Sequence, residues 1–232
     1  MKNIKNNYHP IRVILHIIVF LGLFLLEQLP LSILTLTKKD LGSSYPIYQK
    51  YAPFATILLL IISATIIILV FKHIRKAPAQ KFTKQTWFVI GIATVLTLLI
   101  NVATVPFMRS SNDNVEALKL VANNSIAILI IFTIFVAPIL EEIIFRGIFM
   151  NWFFVDKPFL AILISGVLFG YVHAPFSADT DWIYALSKIL LGIVLAGVYY
   201  RTKNIKADIT VHFLNNFLAI LGGAITTGVI LL

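Results

Sequence analysis

An all-α, polytopic membrane bundle of about seven to eight transmembrane helices is the fold class this sequence predicts, on three observations. Hydrophobic residues fill 59% of the 232 positions and charged residues only 12%, too little charge to clothe a soluble domain of this length. Seven apolar runs reach or approach the roughly 20 residues that span a bilayer, at 13–35, 52–71, 87–107, 123–154, 159–173, 182–200 and 208–232. Between them lie short polar connections, with no internal repeat, low-complexity tract or composition shift to mark a second unit. The whole chain, residues 1–232, therefore reads as a single integral membrane domain.

Taken in order, the first run is a retained span, because it exceeds the usual signal core and no small-residue cleavage site follows it. It carries His16 and Glu27, eleven residues or about three turns apart and so on one face. A structural pairing through another helix or through water is the expectation for both. Asn101 in the third run and Asn123 and Asn124 at the head of the fourth are expected to make interfacial or interhelical hydrogen bonds. The fourth run is long and the fifth short. The Gly166-x-x-x-Gly170 pair, with Gly192 and Gly197, permits close helix approach, and Lys188 can snorkel. An eighth crossing would need the last run to break at Gly222 and Gly223.

The connections set an expected orientation. Basic residues gather at the N-terminus (Lys2, Lys5, Arg12), in the second connection (Lys72, Arg75, Lys76, Lys81, Lys84) and in the sixth (Arg201, Lys203, Lys206), while the fifth offers only Asp179 and Asp181. The positive-inside rule then puts the N-terminus in the cytoplasm and the C-terminus outside; Lys38, Lys39 and Lys50 in the first connection run against this. The formal charge of +9 reads as topology and contact with anionic headgroups, and excludes nucleic-acid binding, which needs a soluble basic surface. No cysteine is present, which removes disulfides, thiolate ligands and a cysteine nucleophile.

The fourth run contains "APILEEIIFRG", residues 137–147. A charge near the centre of a membrane helix costs about 2.5 to 3.5 kcal/mol on insertion scales, so Glu141, Glu142 and Arg146 need partners. Glu142 and Arg146 are spaced i, i+4 with the acid first, the favourable order for a helical ion pair. Glu141 is turned about 100° away and is left a functional candidate or a structural partner of another helix. Pro138 starts or kinks the polar stretch and frees backbone groups near the acids.

Depth supplies a partner. The turn "VDKP" at 155–158 makes the fourth and fifth runs antiparallel neighbours. Glu141 and His173 then lie level, each about 22 to 24 Å from that turn at 1.5 Å per residue. A carboxylate and an imidazole at one depth form a general-base pair able to take a proton from water, and Phe169, four residues before His173, can wall them from lipid. In the last run His212 and Asn216 share a face with Asn215 beside them; they are either interhelical hydrogen-bonding groups or donors for an oxyanion. Counting from the basic sixth connection puts His212 nearer the cytoplasmic face than His173.

These pieces resemble the CPBP family of intramembrane endopeptidases, which includes the CAAX prenyl protease 2 enzymes and the Abi or bacteriocin-processing proteins. "EEIIFR" (141–146), "FGYVH" (169–173) and "HFLNN" (212–216) stand in the family's order, and the resemblance covers about residues 125–220. It implies that Glu141 and His173 activate the attacking water, that His212 and Asn216 stabilise the oxyanion, and that Glu142 with Arg146 forms the supporting pair. The expected function is hydrolysis of a peptide bond in a membrane-associated protein or peptide, in CAAX-type processing or in bacteriocin maturation or self-immunity. A non-enzymatic immunity or peptide-binding protein, or a small transporter relaying protons through Glu141 and His173, is the alternative. No cofactor is expected. Were zinc held, Glu141, His173 and His212 would be its ligands, but the sequence has no His-Glu-x-x-His pair and a carboxylate with a neutral histidine needs no metal.

Overall fold

The computed structural model describes residues 10–75, 80–109 and 112–227, and the basic positions Lys2, Lys5 and Lys76 lie outside them. Apolar runs without interruption become helices, because in lipid only intra-segment hydrogen bonding satisfies the backbone. The long helices are α1 (Pro10–Ser32), α2 (Tyr45–Ile74), α3 (Lys84–Thr104), α4 (Asp113–Trp152), α5 (Pro158–His173), α6 (Trp182–Thr202) and α7 (Ile205–Thr227). Helix α7 runs through Gly222 and Gly223 unbroken, which removes the break on which an eighth crossing would depend.

The fold is a helical membrane bundle, yet five of the helices among the described residues, α1 to α4 and α6, have the length and apolarity of a span. The count of seven to eight is not reached, for two reasons of chemistry. Helix α5 has 16 residues, about 24 Å at 1.5 Å per residue and short of a ~30 Å core. Helix α7 spends its first half on Lys206, Asp208, His212, Asn215 and Asn216, polar groups that need protein around them.

Helix α4 is built in pieces. Its first part, from Asp113, is capped by Asn112, whose side chain accepts from Val115 N. At Ser125 the backbone turns extended (φ −164°, ψ 94°) and the Ser125 hydroxyl accepts from Ile128 N at 3.3 Å, so a serine caps a second helix where the apolar run begins. Two π-helical stretches follow, Phe132–Val136 and Ile143–Phe149, around the α-helical Ala137–Glu142. Such bulges leave carbonyls unused and frequently mark functional positions.

Helix α1 lies antiparallel to α4 in a register that aromatic pairs define: His16 stacks on Trp152 at 4.2 Å, Phe20 meets Phe149 at 5.4 Å, and Phe24 meets Phe145 at 6.4 Å. One more turn along α1 brings Glu27, only 1% exposed, level with Glu141. His16 and Glu27 thus share a face as expected, but each serves α4 separately. Helices α5 and α6 pack closely through glycine. A Cβ on Gly170 would stand 2.9 Å from Ile189 N, and one on Gly192 would stand 2.9 Å from Gly166 Cα. Asn124 makes the expected interhelical bond, donating to Leu34 O at 2.9 Å.

Candidate active site

Glu142 and Arg146 form the predicted pair, Arg146 Nη1 donating to Glu142 Oε1 at 3.1 Å with both side chains fully buried. The guanidinium also donates from Nη2 to Gly192 O at 2.7 Å and lies over the Phe169 ring at 5.0 Å. A side chain at position 192 would hold α5 and α6 apart, so the glycine contact that closes those helices also brings this carbonyl within reach of Arg146. Buried charge here is compensated by hydrogen bonds as well as by the opposite charge, which a low-dielectric interior requires.

Glu142 has a second partner that sequence spacing did not indicate. His212 Nδ1 lies 2.9 Å from Glu142 Oε1, and since a carboxylate only accepts, the ring carries its hydrogen on Nδ1. His173 is fixed in the same way: its Nδ1 is 2.8 Å from Phe169 O, a carbonyl that can only accept. Both neutral rings therefore present an Nε2 lone pair. The two Nε2 atoms turn toward one oxygen, Glu141 Oε2, at 4.0 Å from His173 and 3.9 Å from His212. Three acceptors converge on a gap of about 4 Å, wide enough for a water at roughly 2.8 Å from each member of a pair. Phe169 walls it, its ring 4.5 Å from that of His173 and 5.7 Å from that of His212. The Glu141 side chain is 12% exposed and that of His173 20%, yet Glu141 Oε2 itself is buried and without a hydrogen-bond partner among the described residues, and Glu142 and Arg146 behind it are fully buried.

The depth expected for His212 is corrected. The turn between α6 and α7 is half packed into the protein: Thr202, Asn204, Ile205, Ala207 and Asp208 are buried, while Arg201, Lys203 and Lys206 stay exposed. Asn204 caps the new helix by accepting from Lys206 N at 3.0 Å and donates from Nδ2 to Gln80 O, while Lys203 takes a left-handed conformation (φ 51°) to reverse the chain. Helix α7 thus begins inside the protein, and two turns later His212 is already beside Glu141.

Asn216 lies on the His212 face, and its Nδ2 donates to Thr133 O at 2.9 Å. Pro138 explains why that carbonyl is open. The Ala137 N–H bonds to Phe132 O in the π-helical turn, and residue 138, the next donor in line for Thr133 O, is a proline without an N–H. The freed backbone group near the acids is therefore this one.

Further charged groups surround the site. Glu27 comes level with Glu141 from α1, and Asp208 lies beside Glu142 with its side chain fully buried, while the Lys188 ammonium on α6 lies over the Tyr184 ring at 5.0 Å. Asp208 sits four residues before His212, the same spacing by which Glu142 precedes Arg146, and that periodicity was its available signal. Among the described residues no three His, Asp or Glu side chains are grouped to hold a metal ion.

Residues 123–218 match the family described as type II CAAX prenyl endopeptidase Rce1-like. The chain is 29% identical to the UPF0177 protein YaiF of Lactococcus lactis over 84% of its own length and 91% of that protein. It is 37% identical to YdiL of Bacillus subtilis, named as a candidate membrane peptidase, over 45% of this chain and 41% of that one. It is 23% identical to the membrane-embedded CAAX protease MroQ of Staphylococcus aureus over 72% of each. No solved structure matches. All three motifs fall inside the matched segment, so residues 123–218, which carry the site, are the part of this chain that is similar to the Rce1-like CAAX endopeptidase family.

Proposed function

We propose that this chain is an intramembrane endopeptidase that cleaves a peptide bond of a membrane-associated protein or peptide with a water activated by Glu141 and His173. The observation that carries the reading is the convergence of Glu141 Oε2 with two Nε2 lone pairs at 3.9 and 4.0 Å. Water in that gap donates to the carboxylate and to an imidazole. Its oxygen bonds to the scissile carbonyl carbon as the proton passes to Glu141. That proton then goes to the leaving amine as the C–N bond breaks. His212 donates to the oxyanion after its Nε2 takes a proton from solvent, the resulting charge being balanced by Glu142 at its Nδ1, and Asn216 retains a second amide N–H beyond the one given to Thr133 O. Glu142 and Arg146 hold this arrangement from behind.

The reading is metal-free. Two ligand atoms about 2.0 to 2.1 Å from a tetrahedral zinc stand roughly 3.3 Å apart, closer than the separations here, which suit a water. The similarity to MroQ supports a substrate in CAAX-type processing, and bacteriocin maturation or self-immunity is a second biological setting for the same chemistry. The basic positions Arg12, Lys72, Arg75, Lys81, Lys84, Arg201, Lys203 and Lys206 fall at alternate helix ends, at one end of an alternating bundle. That supports a cytoplasmic N-terminus in a bacterial plasma membrane.

The test is cleavage of a fluorogenic peptide by purified protein in nanodiscs. Glu141→Gln should abolish turnover while leaving the melting temperature near that of the wild type, because the amide keeps shape and loses basicity. Activity should survive exhaustive chelation. Full activity of Glu141→Gln would reject the carboxylate's role, and stoichiometric zinc whose removal and return switch activity off and on would reject the metal-free route.

A further inference from the structure

Three asparagines from two helices form one directed chain. Asn101 Nδ2 on α3 donates to Asn215 Oδ1 at 3.0 Å, Asn215 Nδ2 donates to Asn216 Oδ1 at 3.1 Å, and Asn216 Nδ2 donates to Thr133 O at 2.9 Å. An amide can be turned over at almost no cost when it is isolated, and its oxygen and nitrogen then exchange places. Here the direction is fixed at one end. Thr133 O can only accept, so the Asn216 nitrogen must face it, and the Asn216 oxygen then faces Asn215. That oxygen demands the Asn215 nitrogen, leaving the Asn215 oxygen to face Asn101. The fixed end exists because Pro138 supplies no N–H to Thr133 O and Ala137 bonds to Phe132 O.

We infer that Asn101, which lies outside the family-matched residues 123–218, is a positioning residue of the site: through Asn215 it holds the Asn216 amide in the orientation that gives one N–H to Thr133 O and leaves the second free for the oxyanion. The inference rests on the proposed role of Asn216 as an oxyanion donor. Asn215 is 4% exposed, so an Asn215 oxygen that loses its donor gains no water in exchange and seeks another partner. The nearest remedy is rotation of Asn215, which turns an oxygen toward Asn216 Oδ1 and pushes the Asn216 amide out of place. Helix α3 thereby contributes to the site without touching substrate, and the matched segment alone is not the complete site.

The experiment is a double-mutant cycle on the full chain in nanodiscs. Asn101→Leu removes the donor, and Asn101→Asp replaces it with an acceptor facing Asn215 Oδ1. Both should lower kcat about tenfold with KM unchanged, the size expected for one mispositioned hydrogen bond at the transition state. In an Asn216→Ala background the same changes should lower kcat less than twofold, since the group they act through is gone. An equal loss in both backgrounds would make Asn101 a structural residue and overturn the inference. If the wild type cleaves nothing, the proposed function fails instead, and an arm independent of activity still decides: with asparagine labelled by 15N, Asn101→Leu should move the Asn216 side-chain amide resonance, and an unmoved resonance overturns the chain of positioning.

Discussion

Arg146→Leu tests how the buried charges are held. In the wild type the guanidinium gives hydrogen bonds to Glu142 Oε1 (3.1 Å) and Gly192 O (2.7 Å), lies over the rings of Phe169 and Phe145 at 5.0 and 5.7 Å, and has no exposed surface. Leucine fills part of the volume but leaves Glu142 with only the neutral N–H of His212. Stranding one member of a buried ion pair costs about 3 to 5 kcal/mol. Losing the bond to Gly192 O adds ~1 kcal/mol, although hydration of the new space can return some of it. For a chain of 232 residues, at about 2 to 4 °C per kcal/mol, the melting temperature should fall by roughly 8 to 24 °C.

The assay is fluorescence-detected size exclusion after a heating series, on protein purified in parallel from equal membrane mass. Glu142→Gln added to Arg146→Leu should restore at least half of the lost stability, because the amide removes the stranded charge while its oxygen still accepts from His212. The double variant should remain poorly active, since Glu142 no longer stabilises a protonated His212. A fully stable but inactive Arg146→Leu would refute the reasoning and assign the arginine to the reaction itself.

Three further outcomes follow from the same geometry. Gly170→Leu should lower folded yield sharply, because any side chain at that position meets the Ile189 backbone nitrogen at 2.9 Å; Gly197→Ala, where nothing lies within 4 Å, should be neutral in the same size-exclusion assay. Pro138→Ala restores an N–H that can bond Thr133 O, so it should displace Asn216 and lower kcat about tenfold with little change in melting temperature. Reporter fusions should place the N-terminus in the cytoplasm and the C-terminus outside, and both ends on one side would require that α5 or α7 fails to cross.

The paired charges were legible from the sequence because their spacing is local. Glu142 and Arg146 sit one helical turn apart, and the turn at 155–158 fixes the depth of His173 against Glu141 by counting. What counting missed was whatever depends on where a helix starts in the third dimension. The α6–α7 turn carries Lys203 and Lys206 and so reads as a surface loop, yet Asn204 and Asp208 are buried in it, and His212 reaches the centre of the site in two turns. Glu27 and Asn101 come from helices without a motif, and only the register of α1 against α4 and the hydrogen bonds of α3 with α7 reveal that they approach the site. Helix α7 is not among the five helices with the length and apolarity of a span for the same reason, since it carries its polar half into protein.

The two adjacent glutamates divide their work because a helix turns by about 100° per residue. Glu141 looks outward into the gap with the two imidazoles, while Glu142 looks inward, where one oxygen accepts from both Arg146 and His212. Glu142 therefore joins the buried cation to a ring of the site and sets that ring's tautomer, and its part exceeds that of a counter-ion. With Nδ1–H committed to Glu142, His212 must offer a lone pair at Nε2; with Nδ1–H committed to Phe169 O, so must His173. Neither ring can satisfy the other, nor can either satisfy Glu141, unless a hydrogen donor enters between them. The bundle thus holds three acceptors apart at a separation that a water fills.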